Sequence, residues 1–142
     1  MKKDTFTFLF RFIFFAVLFI KINPCFAQPH LKWVKQIGGA SGSARASAIA
    51  VDMNKNVYST GYFAGTVDFD PGPGVYTFSA LGPSTFIQKL DSNGNFIWAK
   101  QIQGSVANAT VDAHSLALDN LNNVYITGTF DESVDFDPGI SA

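Results

Sequence analysis

The chain has 142 residues, 47% of them apolar and 15% charged, with a formal net charge of −1 and one cysteine. That length holds one small domain or a piece of a larger one. The low, balanced charge excludes a basic nucleic-acid surface, and an aromatic content of 15% excludes a disordered chain.

The N-terminus reads as a secretory leader. Met1-Lys2-Lys3-Asp4 is a short basic start, residues 12–20 are apolar without interruption, and Cys25-Phe26-Ala27 supplies small side chains before a cut after Ala27. A transmembrane anchor is the alternative, but it needs about 20 apolar residues, and Arg11 and Lys21 bracket a shorter run. Asn23 and Pro24 speak against lipoprotein processing at Cys25. Cleavage removes residues 1–27 and with them the only cysteine and 8 of the 15 phenylalanines. Residues 28–142 keep six basic and ten acidic side chains, a net charge of −4, and no thiol for a disulfide, a metal site or a nucleophile.

Beyond the leader an internal repeat organises the chain. Trp33-Val34-Lys35-Gln36-Ile37 returns as Trp98-Ala99-Lys100-Gln101-Ile102 at an offset of 65. Asn56-Val57-Tyr58-Ser59-Thr60-Gly61 returns as Asn123-Val124-Tyr125-Ile126-Thr127-Gly128 at an offset of 67, and Val67-Asp68-Phe69-Asp70-Pro71-Gly72 returns unchanged at 134–139. The two-residue difference places a lengthened loop between Gly104 and Asp119.

In chain order, 31–37 reads as an outer strand, 46–52 as a strand of small apolar residues, and 56–63 as a β-branched and aromatic strand. The stretch 67–80 is expected as an extra loop or small hairpin. Strands follow at 85–90 and 95–102, joined through Asn93-Gly94, a hairpin signal because both positions tolerate positive φ. Asp52 to Asn56 and Asp119 to Asn123 are polar turns between strands. No 3.6-residue apolar period survives the leader, so the expected class is all-β. Four short antiparallel strands per repeat suit a β-propeller blade, with Ala46, Ala48 and Ala50 on the crowded inner strand and Trp98 on the outer one. A β-solenoid or a pair of sandwiches is the alternative.

The runs Asn-Val-Tyr, Thr-Gly-Tyr-Phe, Val-Asp-Phe-Asp-Pro-Gly and Leu-Asp-Ser-Asn-Gly-Asn-Phe-Ile-Trp-Ala-Lys resemble the seven-bladed β-propeller repeat family of exported Bacteroidetes-type proteins. The resemblance covers about residues 31–139. It implies a propeller at the cell surface, often ahead of a secretion-sorting domain that these residues do not contain. It transfers no catalytic residues, because the family has no common set. The expected layout is a signal peptide (1–27) and a repeat segment (28–142): the outer strand 31–37, a full blade 46–102 and a partial blade 113–142. About one and a half blades cannot close a ring of at least about four. The chain is therefore expected to be a fragment whose remaining blades lie on a longer chain, or else to assemble in several copies.

Among candidate sites, Asp68 and Asp70, and their copies Asp135 and Asp137, could each offer two carboxylates to one calcium ion, since residues two apart on an extended segment point the same way. Calcium takes six to eight oxygens, and Ser79 stands where an EF-hand needs glutamate. A strand ending in a Pro-Gly turn is the plainer reading, with no cofactor. Gly38-Gly39-Ala40-Ser41-Gly42-Ser43 lacks the lysine of a phosphate loop and is expected as a flexible interblade loop. His114 has no counterpart in the first copy, and its neighbours Asp112 and Ser115 give no triad. Asn108-Ala109-Thr110 matches a glycosylation sequon, a short pattern that arises by chance. Trp33 and Trp98, like Tyr58 and Tyr125, recur and are expected as packing residues, whereas Tyr62 and Tyr76 do not and are the candidates for a ligand surface. The expected function is a secreted or cell-surface binding scaffold for a protein or carbohydrate, using loops 37–46 and 104–112. The alternative is a piece of an enzyme, a hydrolase or lyase acting on extracellular polysaccharide. Neither nucleic acid nor a membrane span after cleavage is expected.

Overall fold

The computed structural model describes residues 29–136. The expected leader and Asp137 lie outside them. A four-stranded antiparallel sheet runs in chain order through β1 (Gly38–Val51), β2 (Val57–Asp68), β3 (Thr77–Leu90) and β4 (Phe96–Ile102). β5 (Val111–Leu118) and β6 (Val124–Phe130) form a second, antiparallel pair. All the described elements are strands, arranged as β-propeller blade repeats: β1 to β4 are one blade, and β5 and β6 repeat β1 and β2 in the next.

The strands are longer than their apolar patterns suggest, and the reason is glycine. Gly38 to Ser43, expected as a loop, begins β1 and pairs with the far end of β2, with Gly38 opposite Asp68 and Gly42 opposite Gly65. A Cβ on Gly42 would lie 2.3 Å from the Thr66 carbonyl oxygen, so this close approach excludes side chains. The glycines that look like a flexible linker are what lets two backbones meet. The stretch 67–80 likewise adds to the sheet, because β2 and β3 stay paired from Val67 opposite Phe78 to Asp68 opposite Thr77.

Residues 31–37, expected as a strand, belong to none. A strand needs a ladder partner, and here Trp33 and Lys32 instead bond the Ser92 carbonyl in the turn before β4, at 3.2 and 2.6 Å.

The register sorts side chains onto two faces. On one face lie Ala48 and Ala50 of β1, Tyr58 of β2, Ile87 of β3 and Trp98 of β4, and Leu116, Leu118, Val124 and Ile126 of the second blade pack onto them. The opposite face holds Phe63, Val67, Phe69, Phe86 and Ala99, all buried. A register shift between Phe63 and Gly65, where φ is +74°, bends the β2–β3 arm. The bend brings Phe69 within 5.2 Å of Phe63 and 5.1 Å of Phe86, ring centre to ring centre. The first blade thus covers part of its own second face by curling.

Candidate functional site

Three turns at the same end of the strands share one chemistry. In each, an aspartate accepts the backbone amide of an asparagine four residues on, at 2.8 to 2.9 Å, and the asparagine side-chain amide at 2.7 to 2.9 Å: Asp52 with Asn56, Asp91 with Asn95, Asp119 with Asn123. The residue before each asparagine has positive φ: Lys55 at 65°, Gly94 at 80° and Asn122 at 65°. Burial alone would raise the Asp52 carboxyl, but bonds from Asn56 and Asn54 and the nearby Lys89 hold it below its ordinary value. The Asn95 backbone and side-chain amides lower Asp91, and the Asn123 side chain and backbone lower Asp119. The same Asp119 raises the Tyr125 hydroxyl that donates to it at 3.2 Å. These carboxylates are ionised latches that close hairpins.

Asp52 is the most enclosed of them, with a fully buried side chain 3.9 Å from the Lys89 ammonium. That ammonium lies 4.8 Å from the centre of the Tyr58 ring, and the Tyr58 hydroxyl donates to Asp52. Sequence reasoning missed this group because Lys89 comes from the next hairpin. Its only local sign is that Asp52 and Tyr58 recur as Asp119 and Tyr125.

The aspartates proposed for calcium are also engaged with backbone. Asp68 Oδ1 accepts the amides of Asp70 and Tyr76, each at 2.9 Å, and Asp70 Oδ1 accepts that of Gly72 at 2.7 Å. The pair therefore shapes the 69–76 turn, which the Phe69 amide closes onto the Tyr76 carbonyl. Asp135 is exposed. Among the described residues no three His, Cys, Asp or Glu side chains come together.

Tyr76 is 40% exposed, with its ring against Phe78 at 5.3 Å and Phe96 at 4.8 Å, so one ring face covers the aromatic cluster. Tyr62 is half-buried on β2 opposite Arg45. The structure does not bring the two together on one strand end: Tyr62 pairs with Thr85, and Tyr76 lies in the distal turn. His114 occupies a bulge between Ala113 and Ser115 that repeats the one between Ala46 and Ala48, and its Nε2 lies 3.2 Å from Thr129 Oγ1. Of the two expected binding loops, 37–46 is mostly strand. Residues 103–110 do remain a connection, tied down by Thr110 and Asp131.

A cleft of about 330 Å³ opens between the two blades, lined by Thr85, Ile102, Val111, Ile126, Phe130 and Phe136 among others. Phe130 and Phe136 meet edge to face at 4.9 Å, as their repeat counterparts Phe63 and Phe69 do. Asp112 adjoins the cleft, and its Oδ1 is buried without a hydrogen-bond partner among the described residues.

Comparison with known proteins agrees with this construction. The Beta-propeller repeat family matches at two places, residues 32–62 and 97–129, each beginning one residue before a recurring tryptophan and running into the hairpin that follows. An uncharacterized WD repeat-containing protein of Acanthamoeba polyphaga mimivirus is 29% identical over 116 residues, covering 71% of this chain. The chain spans about 8% of the length of that curated relative. No solved structure matches significantly.

Proposed function

We propose that this chain is an exported β-propeller repeat protein that acts as a non-enzymatic binding scaffold at the cell surface, its ligand a protein or a carbohydrate. One observation carries the reading. The side chains that look chemical, Asp52, Asp68, Asp70, Asp91 and Asp119, are taken up by turns. What the molecule offers outward includes Val75, Tyr76 and Leu81, apolar and aromatic groups suited to packing against a ligand. Tyr62 and Tyr76 are the residues proposed to touch ligand. Further blades, from a longer chain or from other copies, complete the ring. No cofactor is needed, with calcium at Asp68 and Asp70 or at Asp135 and Asp137 as the competing reading.

Export is tested by N-terminal sequencing of protein recovered outside the cytoplasm: a new terminus at Gln28 is expected, and a retained Met1 would overturn it. The scaffold role is tested by incubating purified chain with a panel of polysaccharides and surface proteins. Retention on one of them without new reducing ends or unsaturated products supports a scaffold. Release of such products would replace it with a hydrolase or lyase.

A further inference from the structure

Two of the three aspartate-latched turns carry an apolar side chain at the tip. Met53, between β1 and β2, is 91% exposed, and Leu121, between β5 and β6, is 82% exposed. With Leu31 they are the most exposed large apolar side chains among the described residues. Tyr58, just past the first of these turns, shares a cluster with Leu118 and Val124, which flank the other. Both tips therefore leave the molecule at the same end.

The exposure belongs to the turns themselves. The turn holding Met53 has the following blade beside it, the turn holding Leu121 has the preceding blade beside it, and both tips stay open. A blade packed on either side thus leaves such a tip uncovered. The latch does not require the apolar residue either. At the offset of 67, Met53 corresponds to Asn120 and Leu121 to Asn54, and the aspartate–asparagine bonds form in both turns.

The charge at this end is opposite to that of the chain as a whole. The carboxylates of Asp52, Asp91 and Asp119 are turned onto their own asparagine amides. Four ammonium groups accompany these three: Lys55 exposed beside Met53, Lys89 near Asp52, Lys32 on the Ser92 carbonyl and Lys35 along Gly94. The far end carries acid, with Asp68 and Asp70 at the β2–β3 turn and Asp131 and Glu132 after β6.

We infer that the turn end docks on a bilayer surface carrying anionic headgroups, with Met53 and Leu121 entering the interface and Lys55 and Lys32 meeting lipid phosphates. The inference does not depend on what Tyr76, in the turn at the far end, binds. Two separate tips are a poor match for a protein groove, since a stable protein interface takes about 800 Å² from each partner. Interfacial lipid binding instead adds up from whatever apolar area and positive charge are offered.

Oxidation of Met53 in the full chain by chloramine-T, followed by mass spectrometry of the peptide that contains it, tests this, because the exposed thioether forms sulfoxide only where water-borne oxidant reaches it. At low salt, vesicles of equal parts phosphatidylglycerol and phosphatidylcholine should slow the reaction about fivefold, and pure phosphatidylcholine should slow it little. K55N/L121N places at each position the asparagine that the other blade carries there. Without lipid it should oxidise like wild type, which reports an intact turn. With anionic vesicles it should need about tenfold more lipid for the same protection, having lost one cation and one apolar anchor. A wild-type rate unchanged by anionic vesicles overturns the inference in favour of a protein partner. Equal protection by neutral lipid overturns it too, as does protection that K55N/L121N keeps in full.

Discussion

At the level of single residues, the strongest constraint is the aspartate latch. Asp52, Asp91 and Asp119 each have a carboxyl lowered from its ordinary value by the amides they accept. Asp131, which accepts the Thr110 amide, is lowered in the same way. A carboxylate whose pKa falls on folding stabilises the fold fully above its unfolded value and ceases to do so as pH falls through the folded one. Thermal midpoints should therefore be flat above about pH 5 and drop steadily below about pH 4. Asn95→Ala, which removes the side-chain bond into Asp91 and loosens the backbone one, should lower the midpoint and shrink that acid dependence. An acid profile identical to wild type would remove the latch as its cause. The turn made by Asp68 and Asp70 bears on metal in the same experiment: because their oxygens accept backbone amides, a chelator should leave the midpoint unchanged, and a fall would establish calcium.

For the strands, length and bending are set by positions with no side chain. Gly42 and Gly61 both abut backbone: a Cβ on Gly61 would lie 2.0 Å from the Arg45 carbonyl oxygen. Gly42→Ala and Gly61→Ala should each destabilise by about 1–3 kcal/mol, the range for forced backbone shifts, measurable in urea titration. Gly128 repeats Gly61 in the second blade, with the Asp112 carbonyl oxygen at 2.1 Å, so Gly128→Ala should act alike. The recurring Thr-Gly pair in the sequence marks this close approach. The Gly38 to Ser43 run misleads, since its local composition is that of a linker and only its pairing with 64–68 makes it a strand. The 31–37 stretch misleads in the opposite direction, having strand composition and no ladder partner.

For the molecule as a whole, stability rests on the seam between blades. Leu116→Ala should cost about 2–4 kcal/mol, because the side chain is buried and its loss leaves a cavity. Ile49→Ala, at the equivalent position, should cost under about 1 kcal/mol in dilute solution, where its exposed side chain has little to lose. Equal effects at the two positions would mean that the seam is not where the blades are held. Trp98 belongs to the same cluster, edge to face with Tyr58 at 6.1 Å, and it ties the outer strand to that seam.

The repeat, the all-β class and the turn positions are legible in the sequence, and so is the packing role of Tyr58 and Trp98, whereas Tyr125, expected to pack like Tyr58, is exposed. The legible features follow from local chemistry repeated at a fixed offset. The sequence also marked Asp68 and Asp70 as belonging to a turn. Tertiary structure alone decided where the strands end, that 67–80 curls into the sheet, that Lys89 meets the buried Asp52, and which copy of a repeated hairpin is covered. The physical reason is that burial and strand pairing belong to pairs of distant segments. Ile49 and Leu116 hold the same register position in repeated hairpins. One is exposed and the other buried because of what lies against them.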